Sequence, residues 1–267
     1  MQSQLKILYL GDAVGRPARD FIVCSIAGIK RMHDIDVVIV NGENVTSGAG
    51  ITREHAELLH GAGVDAITLG DHVWDRHGFE NDIGGLSYVC RPANLPSECP
   101  GNVFVVCEKK GVRVGVCIVL GRVFMKVNAA CPFQTVDEIL RSSGANVDVF
   151  LAEIHAEATS EKIAFGWNFD GKVAAVVGTH THVQTADERI LPKGTAYISD
   201  LGMCGPHESV IGREILPIIH RMKLSMPIKS EVATGDVRLN GALLTIDVES
   251  GLAKKITRFS EKCRNFE

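Results

Sequence analysis

Short apolar runs alternate with amphipathic stretches along most of the chain. The apolar runs are rich in Val and Ile and nearly continuous, which is typical of strands that are buried on both faces. They predict nine strands, at 7–11, 37–42, 65–70, 103–108, 113–120, 147–154, 173–178, 195–200 and 242–248. Helical patterns lie between many of them, at 19–32, 53–60, 136–142, 160–165 and 210–223.

The alternation of strands and helices predicts an α/β fold with helices outside the sheet. Two apolar runs within 102–120 are joined only by Lys109-Lys110-Gly111, a link that favours an antiparallel pair. The sheet is therefore not expected to be purely parallel. No long linker, repeat or low-complexity segment divides the 267 residues, and we predict a single domain over 1–267.

Polar side chains follow five of the predicted strands. The segments are Gly11-Asp12, Asn41-Gly42-Glu43-Asn44, Gly70-Asp71-His72, Glu153-Ile154-His155 and Gly178-Thr179-His180-Thr181-His182. Each alone has an ordinary structural explanation as a turn, a helix cap or a hydrogen-bonded histidine. Ligands of open α/β sheets bind beyond the carboxyl ends of strands. The recurrence of such residues at five strand ends therefore indicates one shared site.

Two histidines, His180 and His182, lie two residues apart in the last of these segments. If the backbone stays extended there, side chains at i and i+2 point to the same side. A polar loop that happens to contain histidine is the alternative. The His-x-His pattern alone does not decide between a metal site and such a loop.

The donor types narrow the chemistry of this site. Asp, Glu, Asn and His without cysteine suit iron, manganese or zinc better than a thiolate-bound structural zinc. The donors are too many for one tetrahedral ion, whereas two ions roughly 3.5–4 Å apart that share a carboxylate fit better. Such a pair binds phosphate oxygens and activates water, and a nearby histidine can protonate the leaving oxygen.

Composition and charge argue against some classes of partner and location. The formal net charge is −4, and Lys and Arg form pairs rather than runs, which does not favour broad electrostatic binding of nucleic acid. No segment reaches the roughly 18 apolar residues of a membrane span, and the N-terminus lacks the pattern of a secretory signal. The eight cysteines include no CxxC pair, so we expect reduced thiols and a cytoplasmic protein.

Seven stretches carry a resemblance to a known family. They are GDAVGRPARD, VIVNGENVTSGAGIT, ITLGDHVWD, VCRPANLP, LGRVFM, EIHAEATSEKIAFGW and VVGTHTHVQTADERILPKGTAYISDLGM. In order and spacing they resemble the YmdB-type bacterial metallophosphoesterases, a branch of the calcineurin-like phosphoesterase superfamily. The resemblance implies a four-layer α/β/β/α sandwich with a dinuclear metal centre. It also implies phosphodiesterase activity on 2′,3′- and 3′,5′-cyclic nucleotides.

The resemblance assigns the first metal to residues on three of the segments. Asp12 and His182 would bind this ion, with Asn44 close to it. Glu43 would bridge the two ions, a role that an Asp has in most of the superfamily.

The second metal would be bound by His155 and His180, and His72 would be the proton donor. The family has Gly-Asn-His where this chain has Gly70-Asp71-His72. Asp71 can still supply a ligand oxygen, but it adds a negative charge and, when ionised, has no donor. The alternative is that Asp71 turns away and accepts a backbone hydrogen bond.

Several other residues are open to two interpretations. Arg91, Asn94 and Arg122 lie in family-like segments and either face the substrate or anchor loops. Trp74 and Trp167 are expected in the core rather than as platforms for base stacking.

Two other functions compete with the phosphodiesterase hypothesis. Dinuclear amidohydrolases also use His-x-His, but near the N-terminus and commonly with a bridging Lys, and no Lys lies at these strand ends. The main alternative is a weakly active or non-catalytic metal-binding regulator in signalling or RNA metabolism. We expect two ions of iron or manganese, with zinc as an option, and a small phosphodiester substrate such as a cyclic nucleotide. Binding of nucleic acid and homo-oligomerisation are left open.

Overall fold

A computed structural model describes residues 4–263, in which thirteen strands and six α-helices follow one another. The strands are β1 (Gln4–Ala13), β2 (Val37–Asn41), β3 (Ala66–Thr68), β4 (Val89–Cys90), β5 (Val105–Lys109), β6 (Val112–Leu120), β7 (Val149–His155), β8 (Ala175–Thr179), β9 (Arg189–Ile190), β10 (Ala196–Ile198), β11 (Met203–Pro206), β12 (Val237–Asp247) and β13 (Ala253–Lys262). The helices are α1 (Gly15–His33), α2 (Arg53–Ala62), α3 (Phe79–Asp82), α4 (Pro132–Arg141), α5 (Thr159–Asn168) and α6 (Ile215–Leu224).

The strands form two sheets of mixed direction. The first sheet has the order β13-β12-β11-β1-β2-β3-β4, and β12 also pairs with β1. The second has the order β5-β6-β7-β8-β10-β9. The central strands pair in parallel, and antiparallel pairs such as β12–β13 and β5–β6 lie toward the edges. The β5–β6 pair confirms the antiparallel connection predicted around Lys109-Lys110-Gly111.

Three apolar cores separate four layers of secondary structure. Leu8 and Leu10 of β1 pack in the core beneath α1 and α2. Ile7 and Tyr9, on the other face of the same strand, pack in the core between the two sheets. The third core, which includes Phe165 of α5, lies between the outer face of the second sheet and the helices α4 and α5. The predicted α/β/β/α sandwich is thus confirmed. The single domain over 1–267 stays a prediction, and the core shared by the two sheets is consistent with it.

Some elements depart from the sequence prediction. The strand β13 was not predicted, because its segment AKKITRFSEK mixes charged and apolar residues along an edge of the sheet. The short strands β4 and β9 have only two residues each, too few to give a pattern. The helix expected over 210–223 begins only at Ile215, since residues 207–214 form an irregular loop.

The two tryptophans lie in different environments. Trp74 is partly buried and packs against the core beneath α1 and α2. The side chain of Trp167 is 51% exposed, so the prediction that it belongs to the core is wrong. It lies on the outer surface of α5, where Arg189 packs over its ring. Within residues 4–263, no helix combines the length and the apolar character needed to cross a membrane.

Candidate metal centre

Strand ends from both sheets meet at one side of the sandwich. The first sheet contributes residues at or after the ends of β1, β2 and β3, and the second contributes those of β7 and β8. Contacts between the sheets are direct, since His155 Nε2 is 2.9 Å from Asp71 Oδ1 and the His180 N–H donates to Asp12 Oδ2 at 3.2 Å. The structure brings together all seven ligands expected from the sequence, namely Asp12, Glu43, Asn44, Asp71, His155, His180 and His182.

Four of these side chains form a group that we call site A: Glu43, Asp71, His155 and His180. One ligand atom from each lies within 4.8 Å of the others. The Nε2 atom of His155 is 3.3 Å from Glu43 Oε1 and 3.1 Å from His180 Nδ1. Asp71 Oδ1 is 3.4 Å from the same His180 nitrogen, so Asp71 points into the group and not toward the backbone. Two imidazoles and two carboxylates so arranged suit a borderline metal ion.

A second group, which we call site B, consists of Asp12, His182 and the same Glu43, again with ligand atoms within 4.8 Å of one another. His182 Nε2 is 4.0 Å from Asp12 Oδ1 and 3.3 Å from Asn44 Nδ2. Asn44 also donates from Nδ2 to Glu43 Oε1 at 2.9 Å. Glu43 is therefore the carboxylate common to both groups, and Asn44 lies beside site B.

Opposite charges stabilise one another in site A. Burial disfavours the charged form of His155, but Glu43 and the hydrogen bond with Asp71 outweigh it and raise the pKa of His155 well above its ordinary value. Burial also disfavours an ionised Asp71, yet hydrogen bonds from His155 and His180 hold the pKa of Asp71 far below its usual range. Without a metal, a proton on His155 balances part of the carboxylate charge.

In site B, burial favours the neutral forms of the ligands Asp12 and His182 over a pair of opposite charges. Burial, with a contribution from Glu43, raises the pKa of Asp12 to about 8 even though His155 opposes the shift. Burial also lowers the pKa of His182, which favours its neutral form. Asp12 Oδ1 is the one buried side-chain nitrogen or oxygen among residues 4–263 without a hydrogen-bond partner. A buried carboxylate oxygen without a partner, next to a neutral imidazole, fits a bound cation.

The two histidines after β8 do not follow an extended backbone. The strand ends at Thr179, and His180 and His182 have φ values of 95° and 64°. The prediction that both side chains point to one side of an extended strand is therefore wrong, because this positive-φ backbone turns each ring separately. His180 reaches site A and His182 reaches site B.

A sequence model of the family described as YmdB-like protein matches residues 8–259. This chain belongs to the YmdB-like family. It is 41% identical over 254 residues to a protein of Bacillus subtilis (strain 168) named 2′,3′-cyclic-nucleotide 2′-phosphodiesterase, with 95% of this chain and 96% of that protein covered.

Solved structures of similar sequence share the fold. A crystal structure of a hypothetical protein from Thermus thermophilus superposes with a TM-score of 0.90 at 36% identity, over 97% of this chain and 99% of that one. A crystal structure described as a novel phosphatase from Mycoplasma pneumoniae gives a TM-score of 0.89 at 34% identity, over 98% and 95% of the two chains.

A buried ion pair between Lys162 and Asp200 holds the segment of this YmdB-like protein that carries His180 and His182. Lys162 on α5 is fully buried, and its Nζ lies 2.7 Å from Asp200 Oδ2. The same oxygen accepts from the backbone N–H of Thr181 at 3.1 Å and from its hydroxyl at 2.7 Å. Because Thr181 lies between His180 and His182, this pair fixes the segment that serves both sites. No signal in the sequence alone marks this pair, since one lysine in a helix is ordinary.

A buried hydrogen-bond network centred on Glu153 orients His155 through Thr179. Glu153 accepts hydrogen bonds from Tyr9 at 2.7 Å, from Asn41 at 2.8 Å and from the Thr179 hydroxyl at 2.6 Å. Thr179 donates its only hydroxyl proton to Glu153, so at 2.9 Å it must accept from His155 Nδ1. This assigns the Nδ1 proton and directs Nε2 into site A, as in the carboxylate-oriented histidines of metal sites.

Close packing at Gly70 is a further condition for site A. A Cβ atom at this position would collide with Glu43 Oε2 and with the His155 ring. The backbone of the third strand end can therefore approach the two ligands only because residue 70 has no side chain.

A pocket of about 360 Å³ opens over both sites and is bordered by His72, Glu157, Ile211 and Arg213. His72 donates its backbone N–H to Glu43 Oε2 at 3.1 Å, and its Nδ1 is 2.8 Å from Asp75 Oδ2. Burial disfavours the imidazolium, but Glu43, Asp71 and the Asp75 contact together raise the pKa of His72. The raised pKa favours the protonated form of His72 at the pocket wall, and Asp75 contacts Nδ1 and not Nε2.

Three residues at the pocket had no role predicted from the sequence. Glu157 Oε2 lies 3.3 Å from His180 Nε2, on the pocket side of that ring. The carbonyl of Ile211 is 3.1 Å from His182 Nδ1, so it orients the ring toward site B. Arg213 donates from Nη2 to the Gly48 carbonyl at 2.7 Å and closes the pocket margin.

Arg91 and Asn94 anchor loops. The guanidinium of Arg91 donates to four backbone carbonyls, those of Pro92, Pro96, Cys99 and Pro100. Asn94 is buried and bonds to the backbone of Leu120 and Ala130. The structure thus favours the structural interpretation of these two residues over contact with substrate.

Proposed function

We propose that this YmdB-like protein hydrolyses 2′,3′-cyclic nucleotides, or closely related small phosphodiesters, at a dinuclear metal centre. Its class, a metal-dependent phosphoric diester hydrolase, follows from the named relatives. The observation that carries the finer proposal is the sharing of Glu43 by two ligand groups beneath one pocket. A carboxylate in both groups is what a bridged pair of ions requires.

In this proposal site A and site B each hold one ion, iron or manganese by preference and zinc as an option. Bound ions would supply Lewis-acid polarisation of the phosphate and a nucleophile from water. Glu43 would bridge the ions, Asp12 and His182 would bind one, and His155 and His180 would bind the other with Asp71.

The chain's own residues supply the remaining requirements of hydrolysis. As the water oxygen forms a bond to phosphorus, the ester oxygen leaves with the electron pair of the broken P–O bond. The imidazolium of His72 stands at the pocket wall and gives that oxygen its proton, and Asp75 holds the ring in place. Val14, Ala49 and Ile211 form apolar parts of the pocket wall, which suit a nucleoside.

The test is turnover of a 2′,3′-cyclic nucleotide by protein loaded with manganese or iron, together with the metal content per chain. We expect about two ions per chain and a nucleoside monophosphate as product. Two bound ions without turnover of cyclic nucleotides or of bis(nitrophenyl) phosphate would favour the metal-binding regulator instead.

The role of His72 is tested with the His72→Ala variant. We expect turnover of the cyclic nucleotide to fall by roughly 10²–10⁴-fold, the usual contribution of a general acid, with metal content nearly unchanged. The loss should be smaller for nitrophenyl esters, whose leaving group needs little protonation. The nearby exposed His77, changed to Ala, is the control, and equal losses on both substrates would exclude His72 as the acid.

A further inference from the structure

A second cavity lies next to the pocket that covers the metal centre, and we call it the side cavity. It has a volume of about 370 Å³, and its apolar lining includes Val183 and Met203. His182 and Ile211 border both the side cavity and the pocket over sites A and B. A ligand bound at the metals therefore needs to extend only past these two residues to reach the side cavity.

Ile211, at the boundary between the two cavities, has a φ of 45°. A β-branched residue rarely adopts a positive φ, and such strain persists only where the surroundings impose it. Here the backbones of Val210 and Arg213 exchange two hydrogen bonds, at 2.8 and 3.0 Å, across the turn that contains Ile211. The Ile211 side chain is 53% exposed. The fold thus holds an apolar side chain uncovered between the cavities, at the kind of strained position that is common in ligand sites.

Gln184, which borders the side cavity, has only a hydrogen-bond acceptor free. Its Nε2 donates to the backbone carbonyls of Leu201, Gly241 and Phe259, at 3.3, 2.9 and 3.1 Å. These carbonyls fix the orientation of the amide, because an oxygen in the place of Nε2 would face three other oxygens. Oε1 is therefore the free end, and no group within residues 4–263 donates a hydrogen bond to it.

Asn240, on the same cavity, also has only an acceptor free. His207 Nδ1 lies 2.9 Å from the Gly205 carbonyl and therefore carries a proton. Burial lowers the pKa of His207, which favours the neutral ring with Nε2 as an acceptor. Asn240 Nδ2 donates to that nitrogen at 2.9 Å, and Oδ1 receives no hydrogen bond from the described part of the chain. The Ser209 hydroxyl, also at this cavity, donates its proton to the Pro206 carbonyl at 2.6 Å.

The free polar atoms of the side cavity are thus acceptors. Among residues 4–263, Asp12 Oδ1 is the one buried side-chain nitrogen or oxygen without a partner, so the amide oxygens of Gln184 and Asn240 are accessible to solvent. A ligand that leaves no polar group unpaired here must bring N–H donors on an otherwise apolar body.

We propose that the side cavity binds the base of the cyclic nucleotide and favours bases that carry an exocyclic amino group. This inference rests on the proposed function, since the metal centre and its pocket would hold the phosphate and ribose of the same substrate. The amino group of cytosine or adenine supplies the donors that the oxygens of Gln184 and Asn240 lack. The ring packs against Val183, Met203 and Ile211. Uracil and hypoxanthine have an oxygen at the same position, which finds no donor in the cavity.

The test compares substrates that differ in this group, on manganese-loaded protein. We expect kcat/KM to be about tenfold higher for cytidine than for uridine 2′,3′-cyclic phosphate, and for adenosine than for inosine 2′,3′-cyclic phosphate. Ribose 2′,3′-cyclic phosphate, which has no base, should be a poorer substrate than either preferred nucleotide. Calorimetry with the 3′-monophosphates of cytidine and uridine should show the same order of affinities, so the cavity is tested even without turnover.

Val183→Trp tests the position of the base. Val183 is 61% exposed, so the fold should accept a larger side chain there, which circular dichroism checks. The indole should occupy the side cavity, and the preference for cytidine over uridine should disappear. Val106→Trp, at a 42% exposed position on β5 that borders neither cavity, is the matched control and should keep the preference.

Equal kcat/KM values and equal affinities within each pair of bases would overturn the proposal, and so would a preference that survives Val183→Trp. Hydrolysis of all four nucleotides without discrimination would overturn the side-cavity proposal and leave the proposed function intact. Discriminating binding without hydrolysis of any phosphodiester would instead support the base site and overturn the proposed function.

Discussion

Site A and site B lie side by side and share the carboxylate of Glu43. They differ in the contacts that their ligand atoms make and in the ionisation states that these contacts favour. In site A, His155 Nε2 lies within 3.3 Å of a ligand atom of each of the other three side chains, and the carboxylates among them raise the pKa of His155. In site B the buried Asp12 Oδ1 has no partner among residues 4–263, and the neighbouring His182 tends to be neutral.

The comparison shows two ways to keep ligands together before a metal arrives. Site A uses a proton in place of a cation, so a metal must displace that proton. In site B the pKa of Asp12 is raised to about 8, so a metal displaces a proton there too, but from a carboxyl whose Oδ1 no hydrogen bond holds. Four changes to the protein or its solution test this difference, in order of decreasing expected effect.

The largest effect is expected from Glu43→Gln, because this change weakens both sites at once. We expect metal content to fall from about two ions per chain to near zero and turnover to fall by at least about 10³-fold. Elemental analysis and a phosphodiester assay measure the two quantities. Glu157→Gln, which alters a carboxylate at the same pocket but outside both groups, is the control. If Glu43→Gln releases only one ion, Glu43 does not bridge.

Lys162→Met tests whether site A and site B both depend on the buried ion pair between Lys162 and Asp200. Breaking a buried ion pair costs about 3–5 kcal/mol of stability, and loss of a supporting contact lowers metal affinity by about 10–100-fold. Both sites should weaken, because the pair holds the loop that carries His180 and His182. Lys172→Met, which breaks the exposed pair with Asp137, should change neither quantity by much. A variant that loses stability but keeps both affinities would reduce Lys162 to a purely structural role.

The pH dependence of the metal-free protein tests the state of Asp12. Its pKa is about 8 when folded and about 3.9 when unfolded, so between these values the unfolded chain releases a proton that the folded chain keeps. Stability should therefore fall as the pH rises from about 4 to 8, by up to about 1.4 kcal/mol per pH unit for this group. The raised pKa of His155 adds a fall of the same sign above about pH 6.5.

Thermal unfolding at several pH values measures this slope. Asp12→Asn should flatten it, and saturating manganese should flatten it in the parent, since bound ions replace the protons. A variant whose slope equals that of the parent would show that Asp12 ionises normally in the folded protein.

The smallest effect is expected at Asp71. Asp71→Asn removes one negative charge beside the phosphate and restores an amide donor, and both changes favour an anionic substrate. We expect a gain of a few-fold in kcat/KM at saturating metal, with weaker binding of the ion in site A. Kinetics at several metal concentrations separate the two effects. A slower variant with full metal content would mean that the site depends on the acid.

Much of the candidate metal centre was predictable from the sequence, because its polar residues directly follow buried strands. Asp12, Glu43 and His155 were found in that way, and parallel strands bring their carboxyl ends to one edge. The separate directions of His180 and His182 could not be derived from periodicity, since they depend on two positive φ values after the strand has ended.

Other features depend on contacts between distant parts of the chain. The partner of Lys162 is 38 residues away, and no local pattern marks either residue as buried. The apolar sequence of α6 predicted a helix but could not show that none of its residues is buried.

The origin of the ligands in both sheets has a consequence for the order of folding events. The contact of Asp71 with His155 spans 84 residues, and that of Asp12 with the His180 backbone spans 168. Contacts so distant in sequence form late, because the loops between them must close first. Neither group of ligands can assemble before the two sheets dock, so metal added at the start of refolding should not accelerate it. The same metal should slow unfolding, because the sheets cannot separate without releasing it.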